Sequence, residues 1–370
     1  MKALILTVST GGGHNSAARA VEEEFKSRGI ECATLDVCYH TSRVLGYAVS
    51  KGYLLSVNAL SKCYSKTYKR LEMRKKNAFS PVIGSFSVLS ARLWEFVCDF
   101  SPSVIICTHV FAALALKHLK EKHKINARTV GILTDFTVHP FWEEVTELDY
   151  LVIPSKRLEY QCIKKGFKKE QLLPYGIPLK SSMQISIPKP KARKTLGLYP
   201  DKPVITVMGG SMGYGGIAKT VKSIDKLNKC FQIIAVCGSS EREYKELCRS
   251  KLRHKTLCFA YTDKIPTILD ASDCLITKPG GLSVSEALAK GVPMILTTPI
   301  PGHEERNESF ILNLGAAMRA SSEAEIRDVL WQALSDASRL KSMSRHARAN
   351  GDPFSTKRLA DKLIIDNDIK

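Results

Sequence analysis

The chain has 370 residues, 44% of them hydrophobic and 25% charged, which is the composition of a globular protein long enough for two domains. Its 11 cysteines lie scattered in apolar runs with no C-x-x-C pair, which argues against a disulfide framework or a zinc site and favours reduced thiols in the cytosol. A formal charge of +19 suits phosphate-bearing partners, and no apolar run approaches the roughly 20 residues of a membrane span, so we expect a soluble or membrane-surface protein.

The first predicted strand, at residues 4–8, runs directly into the glycine-rich turn Gly11-Gly12-Gly13-His14 and then into a helix that reaches about Arg28. This turn lacks the G-x-G-x-x-G spacing of a dinucleotide site, and one glycine turn is weak evidence for any ligand. His14 lies where the helix begins. A histidine there commonly just hydrogen-bonds the turn, and less often takes part in the chemistry of a site.

An insertion at residues 43–76 interrupts the βαβ rhythm after a second strand at residues 31–37. Apolar and aromatic side chains recur in it at steps of three and four residues, which predicts a one-faced helix. Nine basic residues in this insertion stand against one acidic residue, Glu72. A basic amphipathic helix with tyrosines at its boundary is typical of an interfacial membrane helix. The residues that we predict to meet an anionic membrane are Tyr53, Lys62, Lys66, Lys69 and Arg70.

Two other interpretations of the insertion stay open. Its aromatic face could pack on the domain core while the lysines are solvated, although the one-sided charge makes this the weaker interpretation. Nucleic acid is the third option, but no recognition motif accompanies the basic residues, so we expect no nucleic-acid partner.

The α/β rhythm resumes with a strand at residues 103–107, a helix at about 111–123 and a strand at 129–133. The last of these ends in Thr134-Asp135-Phe136-Thr137-Val138-His139-Pro140-Phe141-Trp142. This stretch has an aspartate at the end of a strand, a histidine and a Phe-Trp pair that we expect to be exposed. Together they would place polar and apolar side chains at one edge of the sheet, where a ligand could bind. Alternatively, they could simply pack the loop. A strand at 150–153 and a helix at 156–166 complete this half.

Proline-rich sequence at residues 176–178 and 187–193 predicts a linker, because proline continues neither a strand nor a helix interior. A strand at 204–208 then enters a second glycine turn at 209–216, so both halves of the chain begin alike. Further strands are predicted at 232–236 and 256–260, and a closing helix at about 356–365.

A third glycine turn lies at Gly280-Gly281, between a strand at 274–276 and a helix that precedes the next strand. The amides after such a turn form a helix N-terminus, which attracts anions and phosphate above all. The Ser283-x-x-Glu286 spacing also predicts a capping box, which would satisfy the same amides without a ligand. The strand at 293–299 ends in a polar loop at 301–307, at the sheet edge where open parallel sheets bind ligands.

The sequence TKPGGLSVSEALAKGVP at 277–293, followed by PGHEERN at 301–307, resembles the donor-nucleotide motif of glycosyltransferase family 28. The likeness is strongest to monogalactosyldiacylglycerol synthases and bacterial processive diacylglycerol glucosyltransferases. GGGHxxxA at 11–18 and TDFxxHPxW at 134–142 resemble the acceptor-side motifs of that family. The resemblance spans nearly the whole chain, with its motifs in the expected order.

This resemblance implies an α/β GT-B fold, in which two Rossmann-like doubly wound domains face a cleft and a C-terminal helix crosses back to the first domain. The implied organisation is an acceptor- and membrane-binding domain at 1–180, a linker at 181–200, a UDP-sugar-binding domain at 201–350 and the returning helix at 351–370.

The resemblance also implies site residues. His14 would be the catalytic base, assisted or oriented by Asp135, in an inverting transfer. Glu286 would hold the ribose hydroxyls of the donor. The other donor-side residues would be Gly209, Gly210, Ser211, Tyr261, Thr262, Gly280, Gly281, Leu282, Ser283, His303, Glu304, Glu305 and Asn307. The acceptor-side residues would be Gly12, Gly13, His139 and Trp142.

No metal or other cofactor is implied, because helix ends can stabilise a departing diphosphate and the one Asp-x-Asp, at Asp366-Asn367-Asp368, lies in the terminal tail. At the position of His303 the family usually has glutamine, near the donor sugar. Glucose, galactose and N-acetylglucosamine therefore stay open as the donor hexose.

The leading hypothesis is a transferase that moves a hexose from a UDP-sugar to diacylglycerol at the cytosolic membrane face, as a peripheral protein on the inner side of the cell membrane. The alternatives are a relative acting on another lipid, a UDP-sugar epimerase of the same fold, and a non-catalytic UDP-sugar sensor. His14 argues against the sensor. The basic insertion fits a membrane acceptor better than an epimerase.

Overall fold

A computed structural model of the chain describes residues 1–43, 46–47, 86–210 and 216–368. The membrane residues predicted in the insertion, and Ser211 of the second glycine turn, lie outside these ranges. The described chain divides into two compact units. Unit 1 comprises Met1–Ser181, Ile300–His303 and Phe354–Lys370, and unit 2 comprises Ser182–Pro299 and Glu304–Pro353.

Strands and helices alternate along both units. The strands are β1 (Lys2–Thr7), β2 (Glu31–Asp36), β3 (Val104–Cys107), β4 (Arg128–Ile132), β5 (Tyr150–Val152), β6 (Leu172–Leu173), β7 (Val204–Met208), β8 (Gln232–Val236), β9 (Thr256–Phe259), β10 (Cys274–Thr277), β11 (Met294–Leu296) and β12 (Ala317–Arg319). The α-helices are α1 (Gly12–Ser27), α2 (Val37–Thr41), α3 (Phe86–Phe100), α4 (Val110–Lys122), α5 (Glu159–Lys164), α6 (Lys189–Thr195), α7 (Ile217–Ile224), α8 (Glu241–Cys248), α9 (Ile265–Ala271), α10 (Gly281–Lys290), α11 (His303–Asn313), α12 (Glu323–Ser335), α13 (Ala337–Asn350) and α14 (Ser355–Asp368). Short 3-10 helices are formed by Pro140–Glu144, Lys156–Leu158, Lys169–Gln171 and Ser181–Gln184.

Unit 1 is built on a parallel six-stranded sheet with the order β2-β1-β3-β4-β5-β6. The chain passes from β1 to β2 on one side and then to β3 on the other, so the strand order reverses between β1 and β3. The strands read as continuous apolar runs because helices cover both faces of such a sheet. Apolar side chains of β1, β3, β4 and β5 meet those of α1 and α14 in one core.

Helix α14, at the end of the chain, packs on α1 within unit 1. Its Leu359 and Leu363 are buried in the core of that unit. Arg28 at the end of α1 pairs with Asp361 at 2.6 Å. Asp366, the first residue of the Asp-x-Asp sequence, accepts a hydrogen bond from the Tyr150 hydroxyl at 2.7 Å, so its carboxylate serves to hold α14 in place.

Unit 2 repeats the architecture with the strand order β12-β11-β10-β7-β8-β9, in which every neighbouring pair is parallel. Here the order reverses between β7 and β10. Thr277 at the end of β10 stands in register with Met208 at the end of β7, so the turns that follow these two strands adjoin.

The prediction of two doubly wound α/β domains with a returning C-terminal helix is confirmed. One stretch of the predicted linker differs, because residues 189–195 form α6. Proline is tolerated in the first turn of a helix, and here Pro188 is the N-cap and Pro190 the second helical residue. Among the described residues, no helix is both long and apolar enough to span a bilayer.

Candidate active site

Each unit has a point at which the strand order of its sheet reverses, and the glycine turns lie there. Doubly wound sheets bind ligands outside the carboxyl ends of the strands at such a point. In unit 1 the turn after β1 carries His14 and the turn after β3 carries Thr108 and His109. In unit 2 the turn after β7 carries Gly209 and Gly210, and the turn after β10 carries residues 278–281.

The turn before His14 is fixed by polar side chains. The backbone N–H of Ser9 donates to Oδ2 of Asp36 at 2.7 Å, which ties the turn to the end of β2. Asn15 accepts from the Thr7 hydroxyl and donates to the Ser9 hydroxyl, both at 3.0 Å. These bonds set where α1 begins, and His14 lies in its first turn together with Gly12 and Gly13.

The Nδ1 atom of His14 contacts two oxygen atoms. It lies 2.8 Å from the carbonyl oxygen of Thr108 and 3.0 Å from the hydroxyl oxygen of Thr134. Because a carbonyl oxygen only accepts, Nδ1 must carry the proton of the ring. Nε2 of the neutral ring then holds a lone pair, which is the state that a general base requires.

The surroundings of His14 keep its ring neutral. Removal of the ring from water lowers its pKa, and the negative charge of Asp135 opposes that shift. The His109 ring stands edge-on to it with centroids 4.4 Å apart, and burial lowers the pKa of His109 well below its usual value. Burial also lowers the pKa of His139 to about 4. At neutral pH all three imidazoles are therefore uncharged.

The acceptor-side residues His139 and Trp142 belong to the loop after β4. Nδ1 of His139 accepts from the backbone N–H of Phe141 at 3.3 Å and so caps the short helix Pro140–Glu144. The expectation of an exposed Phe-Trp pair is wrong, because Phe141 is 3% exposed and Trp142 is 4% exposed. The Trp142 ring lies against β4 at Gly131, where an added Cβ would come within 2.6 Å of it.

In unit 2, α10 begins at Gly281 with Gly280 as its N-cap, and this N-cap supplies no side-chain hydrogen bond. The predicted capping box is therefore wrong: Ser283 is the third residue of the helix and Glu286 lies in the second turn. The actual N-cap is a glycine, which has no side-chain oxygen to offer the first-turn amides of Gly281, Leu282 and Ser283. Such a helix end is suited to an anion.

The other donor-side residues occupy different environments. Gly210 has a left-handed φ of +71°, which favours glycine. Tyr261 is 57% exposed after the edge strand β9, and the Thr262 hydroxyl accepts from the N–H of Lys264 at 3.2 Å. Glu305 is exposed. Glu286 and His303 are half-buried.

The buried donor-side residues Glu304 and Asn307 lie on α11 and contact the turn after β10. Nδ2 of Asn307 donates to the carbonyl oxygen of Pro279 at 3.0 Å. The carboxylate of Glu304 forms an ion pair with Lys278. Sequence reasoning missed Lys278, as it missed Thr108 and Thr134 beside His14. The signal available was their position after strand ends, directly for Lys278 and Thr108 and two residues on for Thr134. Within the described ranges, no group of three or more His, Cys, Asp or Glu side chains could hold a metal ion.

Comparison with known proteins adds to this geometry. Residues 14–179 match the family described as monogalactosyldiacylglycerol (MGDG) synthase, and residues 204–361 match the glycosyltransferase family 28 C-terminal domain. A processive diacylglycerol beta-glucosyltransferase of Bacillus pumilus is 26% identical over 378 residues, which covers 100% of this chain and 96% of that protein.

Two solved structures show the same fold. HepE from Anabaena, in complex with UDP and glucose, has a TM-score of 0.57 at 12% identity and covers 98% of this chain and 99% of its own. The UDP-GlcNAc 2-epimerase of Neisseria meningitidis, bound to UDP-GlcNAc, has a TM-score of 0.61 at 14% identity and covers 98% of this chain and 100% of its own. At these identities the likeness establishes the fold alone, which is GT-B.

Proposed function

Because the chain joins an MGDG synthase domain to a family 28 C-terminal domain and so belongs to that glycosyltransferase family, we propose that it transfers a hexose from a UDP-sugar to diacylglycerol with inversion. The observation that carries the proposal is the neutral His14 ring, whose Nδ1 donates to Thr108 and leaves Nε2 with a lone pair. The name of the Bacillus pumilus relative supports diacylglycerol as acceptor and makes UDP-glucose the first donor to test.

In the proposed reaction, the acceptor hydroxyl oxygen attacks the anomeric carbon of the hexose. The bond from that carbon to the phosphate oxygen breaks, and UDP departs with the electron pair. Nε2 of His14 takes the proton of the attacking hydroxyl. The charge of Asp135 stabilises the imidazolium that forms, because a nearby carboxylate favours the protonated ring.

On the donor side, we assign the diphosphate to the first-turn amides of α10 and the turn after β7. Glu286, one helical turn further along α10, would accept from the ribose hydroxyls. Tyr261 and Thr262 would seat the uracil. The hexose would meet the first turn of α11, which carries His303 and Glu305. The amides of α10 would then stabilise the departing diphosphate, and we propose that no metal is needed.

We further propose that the protein works at the cytosolic face of the membrane, where its lipid acceptor lies. The support is the charge of the insertion at residues 43–76, since each basic residue near an anionic surface contributes about 1 kcal/mol. The likeness in fold to a UDP-sugar epimerase does not favour that activity, because a shared fold does not fix the chemistry of a site.

One experiment tests acceptor, donor and membrane together. The protein is incubated with UDP-glucose, UDP-galactose or UDP-N-acetylglucosamine and with diacylglycerol in anionic or neutral liposomes, and the lipids are analysed by mass spectrometry. We expect a glycosyl-diacylglycerol with one donor, formed faster on anionic liposomes. Conversion of one UDP-sugar into another without a lipid product would instead identify an epimerase.

A further inference from the structure

Lys278 is the first residue after β10 and lies at the point in unit 2 where the strand order reverses. In space, its side chain lies between two glycine-containing turns, at Gly210 and at Gly280. The Cε atom of Lys278 lies 3.5 Å from the place where a Cβ of Gly210 would be, and its Nζ lies 3.6 Å from the corresponding place at Gly280. The ammonium group therefore stands between the turn after β7 and the turn that opens α10.

Three contacts hold this lysine in position. The N–H of Gly280 donates to the carbonyl oxygen of Lys278 at 2.8 Å and closes a tight turn. Asn307 donates to the next carbonyl, that of Pro279. The carboxylate of Glu304, whose side chain is 2% exposed, pairs with the ammonium. A buried carboxylate needs such a partner, and the pair in turn fixes the lysine side chain.

The ammonium group retains capacity for a ligand. An ammonium has three N–H donors, and Glu304 is the one hydrogen-bond partner of Nζ within the part of the chain that the structure describes. The Lys278 side chain is 16% exposed, so its ammonium is not enclosed on every side. Beside it stand the first-turn amides of α10, which receive no side-chain cap.

We propose that Lys278 binds the diphosphate of the nucleotide and that Glu304 acts as its positioning residue. A lysine that faces a helix N-terminus across a glycine turn provides a point charge and amide donors on the same anion. This inference rests on the proposed function, since it assigns the cation that would stabilise departing UDP. It also changes the expected role of Glu304 from sugar contact to support of the lysine.

Nucleotide binding tests the proposal without any transfer reaction. We would measure the affinities of UDP and uridine by calorimetry for the wild type and for Lys278→Met. Uridine carries the uracil and ribose contacts alone. We expect Lys278→Met to lower the affinity for UDP about 10- to 100-fold, the usual effect of losing one charge-assisted hydrogen bond. The affinity for uridine should be unchanged. Inorganic pyrophosphate should compete with UDP in the wild type and lose that ability in the variant.

Removal of Lys278 also takes away the cation that faces the buried carboxylate of Glu304, which could lower the affinity for UDP through misfolding. The double variant Lys278→Met with Glu304→Gln removes both charges, so no buried carboxylate loses its cation. It therefore separates loss of the diphosphate contact from misfolding. Binding should stay weak in this double variant if Lys278 contacts the diphosphate. Lys222→Met is the matched control, because Lys222 pairs with Glu246 at 2.6 Å in the same unit, on α7 and α8. It should bind UDP as the wild type does.

The proposal is overturned if the double variant recovers wild-type UDP affinity. It is overturned as well if Lys278→Met lowers the affinities for UDP and uridine equally. It is also overturned if the wild type binds neither UDP nor pyrophosphate. These outcomes differ from a failure of the proposed function. If no lipid product forms but UDP binding depends on Lys278, the proposed transferase activity is contradicted and the diphosphate site is supported.

Discussion

The ring of His14 and the backbone of Thr108 are joined by a 2.8 Å hydrogen bond that connects the turn after β1 to the turn after β3. These two strands flank the reversal of strand order in unit 1, so the bond fixes the ring where a doubly wound sheet binds its ligands. The same bond fixes the tautomer of the ring. Position and tautomer of the candidate base therefore follow from one contact, and burial keeps the ring neutral.

The first prediction concerns Asp135, whose charge raises the pKa of His14 against the lowering caused by burial. Replacement by asparagine removes that charge, so the pKa of His14 should fall further. The base must be unprotonated to act, and the acid limb of the pH profile of kcat/KM should therefore move to lower pH. Glu121→Gln, on the exposed side of α4, serves as control. A limb that stays in place or moves upward would show that Asp135 does not face the titrating group.

The second prediction concerns stability at acid pH. Burial lowers the pKa of His139 from 6.5 to about 4, so the unfolded chain binds the extra proton first as the pH falls. The contribution of this ring to the free energy of unfolding should be fully present above pH 6.5 and be lost progressively between pH 6.5 and 4. His139→Asn keeps an acceptor for the Phe141 amide and removes the titrating ring. We expect its urea midpoint to vary less between pH 7 and pH 5 than that of the wild type. An equal variation would place the acid sensitivity elsewhere.

The third prediction concerns Glu286. Since α10 is capped by Gly280 and not by a Ser283–Glu286 box, Glu286→Ala should cost little stability. Loss of the ribose contact should lower the affinity for UDP and raise the donor KM by about tenfold or more, the usual effect of losing a hydrogen bond to a charged group. Calorimetry measures the first quantity and urea denaturation checks the fold. UDP affinity equal to that of the wild type would refute the ribose role.

The fourth prediction is that turnover survives excess EDTA. The amides at the start of α10 and the ammonium of Lys278 supply positive charge where the diphosphate would depart. Initial rates with and without chelator, each followed by addition of Mg²⁺, give the answer. A rate abolished by EDTA and restored by Mg²⁺ would mean that a divalent cation stabilises the leaving group.

Much of the fold could be predicted from the sequence because buried parallel strands are continuous apolar runs that end at glycine. The strands at residues 4–8, 204–208 and 274–276 are predictable in this way. The order of strands within each sheet has no such local signal. Without that order, the proximity of His14 to Thr108 or of Lys278 to Gly210 could not be inferred.

The errors at the site have related causes. The Ser283-x-x-Glu286 spacing fits a capping box, but the helix starts at Gly281 because the preceding turn is closed by the bond between Gly280 and Lys278. The Phe141-Trp142 pair follows polar residues at a strand end, a pattern that predicts exposed side chains, yet both side chains are buried. Gly131 in β4 leaves room for the Trp142 ring, a long-range fit that the local sequence does not reveal.

His14→Ala is the most direct test of the account, because the lone pair on Nε2 is its central claim. Transfer from the active UDP-sugar to diacylglycerol should fall by roughly 10²- to 10⁴-fold in kcat, the usual contribution of a positioned general base. UDP affinity should change little, because the residues assigned to the uracil, ribose and diphosphate belong to unit 2. A variant that keeps the wild-type kcat, with the same lipid product, would contradict the assignment of His14 as the base.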